Sequence, residues 1–93
     1  MIKSFGNSET ERVFRGELAR RLPREVQPVA LRKLLVLHAA LAVEELRSPP
    51  GNRLERLAGD RAGQMSLRVN DQWRICFRWE QGDAYDVEIT DYH

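Results

Sequence analysis

One cysteine, two histidines and two lysines are all that this 93-residue chain has of those types. A lone Cys76 excludes an intrachain disulfide and a multi-cysteine zinc site. With so few soft or imidazole ligands, no metal and no cofactor is expected. Long apolar runs are also missing. The longest, Leu34 to Val43, is interrupted by His38 and falls far short of the ~20 residues that span a bilayer. No secretory signal is expected, because Met1-Ile-Lys-Ser-Phe5 leads straight into polar residues. There are no repeats and no low-complexity tracts. The length suits one small domain, residues 1–93, with a single core. Together these absences suit the bacterial cytoplasm and no membrane.

What is present is arginine, thirteen residues against the two lysines, and its placement is uneven. Arg47 to Arg78 holds seven arginines and three acids, a surplus of four positive charges. From Trp79 onward there are five acids and no Lys or Arg. A planar guanidinium fork binds phosphate bidentately and stacks on bases, which an ammonium cannot do. The segregation therefore reads either as a phosphate-binding surface or as a salt-bridged, solvated one.

The periodicity changes once along the chain. Ile2–Phe5 reads as a short strand, and Ser8-Glu-Thr-Glu11 matches a capping box that opens a first helix. Gly16 and Pro23 keep that helix short. A longer helix is predicted from about Arg24 to Leu41, with Pro28 in its first turn and the true start near Gln27. Its apolar stripe is Ala30, Leu31, Leu34, Leu37 and Leu41. Ser48-Pro-Pro-Gly-Asn52 is a loop. Beyond it the period becomes two. Leu67–Val69, Trp73–Trp79 and Tyr85–Thr90 alternate, with turns at Asn70–Gln72 and Gln81–Asp83. Odd positions are apolar and even ones carry Arg68, Arg74, Arg78, Asp86 and Glu88. The fold class is thus α+β: a short N-terminal strand, two helices, then an antiparallel β-meander covered by the helices on one face.

Asp91, Tyr92 and His93 follow the last strand and place a carboxylate, a phenol and an imidazole together. An imidazole titrates near neutral pH and suits proton transfer; arginines on a neighbouring strand suit holding phosphate. The combination suggests metal-independent cleavage of an RNA backbone. Arg74 has a second reading, a cross-strand ion pair with Glu88 or Asp86. Strict alternation puts Tyr92, not His93, on the side of Arg74. His38, within the helical stripe, reads as a satisfied core histidine. Cys76 reads as a small packed side chain, and Trp73, Phe77 and Trp79 as core. Arg53, Arg56, Arg61, Arg68 and Arg78 are candidates for gripping RNA backbone.

The element order resembles the RelE/ParE toxin superfamily. The stretches Arg47-Ser-Pro-Pro-Gly-Asn-Arg-Leu-Glu55, Gly59-Asp-Arg-Ala-Gly-Gln64, Val69-Asn-Asp-Gln-Trp-Arg-Ile75 and Asp91-Tyr92-His93 resemble its HigB (host-killer) branch, particularly GraT-like members. The resemblance spans essentially the whole chain. It implies the toxin of a type II toxin–antitoxin system, which enters the ribosomal A site and cuts messenger RNA. It also implies a HigA-type helix-turn-helix antitoxin as partner, with operator DNA reached only through that antitoxin. The family's catalytic arginine falls on Arg74 and its acid/base tail on Asp91, Tyr92 and His93. Some members carry a histidine where Glu55 stands and a lysine where Ala58 stands, so Glu55 is the candidate partner base. The alternatives are a ParE-like gyrase-inhibiting toxin, or a ribosome-binding module with weak or no nuclease activity.

Overall fold

The computed structural model describes residues 1–91. Helix α1 spans Ser8–Phe14 and α2 spans Val26–Ala39. Three short 3-10 turns cover Val43–Arg47, Pro50–Asn52 and Gly59–Arg61. Strands β1 (Glu55–Arg56), β2 (Met65–Arg68), β3 (Trp73–Glu80) and β4 (Asp83–Asp91) form one antiparallel sheet in that order. The expected first strand is present only as two parallel bridges, Ile2 to Ala84 and Phe5 to Val87.

The cap of α1 is Asn7, not the anticipated Ser8. Asn7 has extended backbone, and its Oδ1 accepts from the Thr10 amide at 2.9 Å and the Thr10 hydroxyl at 2.7 Å. An amide oxygen at the N-cap satisfies a helix donor that would otherwise be orphaned. Thr10 Oγ1 in turn accepts from the Ile89 amide at 2.8 Å, which ties α1 to β4. Helix α2 begins close to the expected point, with Pro28 in its first turn. It buries Ala30, Leu34 and Leu37 completely. Leu41 is a correction: the helix ends at Ala39 and Leu41 is 84% exposed. His38 is partly buried; its Nδ1 accepts from the Ile2 amide at 3.1 Å, so it anchors the N-terminal segment.

A buried glutamine closes the connection between the helices. Gln27 donates to the carbonyls of Ala19 at 2.7 Å and Leu22 at 2.9 Å, and accepts from the Ala19 amide at 3.1 Å. Gln27→Ala leaves these backbone groups without partners inside the protein. The expected loss is about 1–3 kcal/mol, read as a lower urea midpoint at unchanged m-value.

The β3–β4 hairpin turns at Gln81 and Gly82, both at positive φ (49° and 84°). Such two-residue turns match the twist of the paired strands. One extra residue then enters β4. Glu88 opposes Cys76 but Tyr85 opposes Arg78, so two residues of β4, Asp86 and Val87, stand against one of β3, Phe77. Asp86, at φ 53°, absorbs the bulge. Ala84, Val87 and Ile89 remain in the core with Leu67, Ile75 and Phe77. Tyr85 does not share their face, as strict alternation would require. The bulge turns it to the side of Arg78, whose guanidinium carbon lies 5.4 Å from the Tyr85 ring centroid.

Candidate functional site

Opposed residues of an antiparallel pair share a face, so the register assembles the non-helical face in rows. Glu55, Ser66, Cys76 and Glu88 form one row; Arg68, Arg74 and Thr90 form the next. Alternation predicts this face to be open. It is not: the Arg53 carbonyl and the Arg61 side chain, from either side of β1, lie against it at Arg74 and at Glu88. Arg74 is consequently only 6% exposed, and Cys76 and Ser66 are fully buried.

Neutral oxygens fix the Arg74 guanidinium. Its Nε donates to Ser66 Oγ at 2.7 Å, and Nη2 donates to the Arg53 carbonyl at 2.6 Å and more weakly to the Ser66 carbonyl at 3.4 Å. Arg53 follows the Pro50–Asn52 turn in left-handed backbone geometry, φ 44° and ψ 59°. Glu55 Oε1 lies 3.9 Å from the same Nη2, with its side chain 48% exposed. The structure therefore brings together two of the residues singled out for catalysis. The expected alternative, in which Glu88 or Asp86 pairs with Arg74, gives way to other partners. Those carboxylates take Arg61, at 2.7 Å, and Arg78, at 2.8 Å.

Asp91 stands opposite Trp73, one step beyond the Arg74–Thr90 pair, and its Oδ2 accepts from Gln72 Nε2 at 3.0 Å. Tyr92 and His93 lie outside the described residues. The five candidate RNA-gripping arginines divide into two sets. Arg61 pairs with Glu88, Arg68 with Asp71, and Arg78 with both Asp86 and Glu80. Arg53 and Arg56 are exposed and take part in none of the ion pairs among the described residues. Gly6 leaves room for the Glu88 carboxylate; a Cβ there would meet Glu88 Oε2 at 2.8 Å. Burial pushes the Cys76 thiol up, offset in part by the nearby Arg61 guanidinium. A thiol so placed stays protonated and is a packed side chain, not a nucleophile.

Among the described residues no group of three or more His, Cys, Asp or Glu side chains is arranged to hold a metal ion, and no helix is long and apolar enough to cross a membrane. Two contributors to the site escaped the sequence reading. Ser66 had one available signal, its position on the even parity of a strand beside Arg68. The Arg53 carbonyl had none, since a backbone acceptor is created by the path of the loop.

Comparison with known proteins shows the family and the fold. Residues 3–93 match the model of the HigB-like toxin family, RelE-like toxins of type II toxin–antitoxin systems. Toxin HigB-1 of Vibrio cholerae is 40% identical over 90 residues, covering 96% of this chain and 95% of that protein. Endoribonuclease HigB of Proteus vulgaris is 32% identical over 93 residues, covering all of both chains. Two solved structures share the fold at low identity. A mutant of YafQ from E. coli has a TM-score of 0.58 at 13% identity, covering 98% of this chain and 93% of its own. A YoeB–YefM complex from Staphylococcus aureus has a TM-score of 0.55 at 11% identity, covering 100% and 98%. With a family match across nearly its whole length and a relative at 40% identity, this chain belongs to the HigB-like family of RelE-like type II toxins.

Proposed function

We propose that this toxin is a ribosome-dependent messenger RNA endonuclease that cuts without a metal, in the cytoplasm of a bacterium. The observation that carries the reading is the anchored guanidinium of Arg74, fixed by Ser66 and the Arg53 carbonyl beside Glu55 and one strand position from Asp91. A guanidinium whose plane is set before substrate arrives can meet charge that develops on a phosphate without reorganising.

RNA supplies its own nucleophile. A base takes the proton of the 2′-hydroxyl, and that oxygen bonds to the adjacent phosphorus. The bond from phosphorus to the leaving 5′-oxygen breaks, and an acid returns a proton to that oxygen. The products are a 2′,3′-cyclic phosphate and a 5′-hydroxyl. His93 is the proposed acid or base. That assignment rests on its place in the chain, two residues or at most about 7 Å of backbone after Asp91, which is itself one strand position from the Arg74–Thr90 pair. Glu55 is the proposed partner base, half exposed beside Arg74. Tyr92 stacks on a base or bonds a phosphate oxygen, and Asp91 orients the two residues that follow it. Arg53 and Arg56 grip the backbone directly. Arg61, Arg68 and Arg78 do so after exchanging a carboxylate partner for phosphate, at a cost that makes them secondary. The partner is a HigA-type helix-turn-helix antitoxin, and operator DNA is reached only through it. The relative from Proteus vulgaris is named an endoribonuclease, and that name supports the same reading.

The chemistry of the cut ends tests the proposal. Messenger cleaved on programmed ribosomes should carry 5′-hydroxyl and 2′,3′-cyclic or 3′-phosphate ends. Pre-treating the toxin with EDTA, before its addition to ribosomes in magnesium, should leave the rate unchanged. Fragments ending in 3′-hydroxyl would overturn the mechanism.

A further inference from the structure

A second cationic feature lies on the far side of the loop that anchors Arg74. Between the outer face of α2 and the Pro49–Asn52 loop runs a groove of about 440 Å³. Among the described residues its lining includes Arg32, Lys33 and Arg68 and no carboxylate. The clefts beside α1 differ, because each mixes arginine with glutamate: Arg24 with Glu17, or Arg21 with Glu9. Of the three cations, only Arg68 has an acidic partner among the described residues, Asp71, and that pair lies in the open. Lys33 instead bonds to the side-chain oxygen of Asn52. Asn52 is buried and is itself fixed, donating to the carbonyls of Leu46 at 3.3 Å and Ser48 at 3.2 Å. The ammonium on this wall of the groove is therefore held by a positioned neutral partner that leaves its charge uncompensated.

The groove is continuous with the candidate site through two links. Arg68 lines it and is the cross-strand neighbour of Arg74. The loop whose Asn52 faces the groove continues directly into Arg53, whose carbonyl holds Arg74. Basic side chains thus follow one another from Arg74 through Arg68, which pairs with Asp71, to Lys33 and Arg32. We infer that this groove is a second binding site, which holds the sugar-phosphate backbone of a single-stranded RNA extending from the phosphate at Arg74. Two adjacent cations without an acid among the described residues, Arg32 and Lys33, beside Arg68 whose partner Asp71 is on the surface, favour a polyanion, whose bound counterions are released on contact. Val29 and Val36 beside them give the sugar edges an apolar floor. This placement rests on the cleavage reading for the position of the scissile phosphate, but not for the binding itself.

The probe is a 2′-O-methyl oligouridine of roughly ten nucleotides, which lacks the nucleophile and so reports binding alone. Its affinity is measured by fluorescence anisotropy across a salt series. Arg32→Gln should weaken binding several-fold and reduce the slope of log affinity against log salt by about 0.7. Lys33→Gln should do the same, with thermal unfolding checking that loss of its bond to Asn52 leaves the fold intact. Arg32 is exposed and takes part in none of the ion pairs among the described residues, so its variant stays informative even if Lys33→Gln unfolds. An unchanged slope for Arg32→Gln overturns the inference, as does failure of the unmodified protein to bind the probe. So does a variant that loses capture of its antitoxin while keeping RNA affinity, which would assign the groove to a protein. A toxin that cuts on ribosomes yet shows no slope change refutes the groove and leaves the nuclease reading standing. One that never cuts, yet loses slope on Arg32→Gln, refutes the nuclease and leaves the groove.

Discussion

Messenger RNA in the A site of a programmed ribosome is expected to be cut on the order of 10⁴-fold faster, or more, than the same RNA free in solution. The reason lies in what the site holds and what it lacks. Arg74 is anchored on two sides and almost fully buried. Around it, however, Glu55 is half exposed and Arg53 and Arg56 are on the surface. An anchored guanidinium with exposed neighbours can stabilise a transition state. It does little to hold a flexible strand with its 2′-oxygen in line with the leaving 5′-oxygen. Orientation of that kind is worth up to ~7–11 kcal/mol when something supplies it. The ribosomal A site is the proposed source. The comparison uses one RNA sequence, naked and ribosome-bound, at matched salt and magnesium. Equal rates would sink the proposal that the ribosome completes the site. No cleavage of either substrate, with inhibition of DNA gyrase, would favour the gyrase-inhibiting alternative.

The parts of this fold that are readable in sequence are those decided by local pattern. The stripe of Ala30, Leu34 and Leu37 specifies α2, and alternation through Ile75 and Phe77 specifies the core face of β3. Errors arise where a single residue or a distant segment decides the outcome. Asn7 and Ser8 are both competent caps, and nothing local chooses between them; Asn7 wins as its Oδ1 takes both the amide and the hydroxyl of Thr10. The bulge at Asp86 shifts Tyr85 by one face, and aspartate at positive φ has no clear mark in a strand pattern. The burial of Arg74 goes with the Arg53 carbonyl and the Arg61 side chain, from either side of β1, reaching Arg74 and Glu88, a tertiary event with β1 only two residues long to signal it. The identity of Arg74 as a site candidate is accessible from its neighbours in sequence. Its environment is not, because a backbone carbonyl and a buried serine hydroxyl supply it.

That environment changes what substitution of Arg74 should do. On an open face, Arg74→Ala would remove a phosphate ligand and nothing else. Here it also strips the Ser66 hydroxyl and the Arg53 carbonyl of a charged donor. Cleavage should fall about 10²–10³-fold, equivalent to the ~3–4 kcal/mol of one preorganised transition-state donor, and stability should fall by about 1–3 kcal/mol. Arg74→Lys keeps the charge but cannot donate from two edges of a plane to Ser66 and Arg53 at once, so it should not restore the rate. Ser66→Ala separates anchoring from charge, since the guanidinium remains. It should slow cleavage by about tenfold, with a coupling energy to Arg74 of about 0.5–3 kcal/mol in a double-mutant cycle. Single-turnover cleavage on ribosomes gives the rates, and urea unfolding of each variant separates lost chemistry from lost structure. A folded Arg74→Ala protein that cuts at the unmodified rate would remove Arg74 from the mechanism. If Arg74→Ala is silent while His93→Ala still cuts, the imidazole is dispensable, and Glu55 or Tyr92 becomes the proton-transfer group to test next.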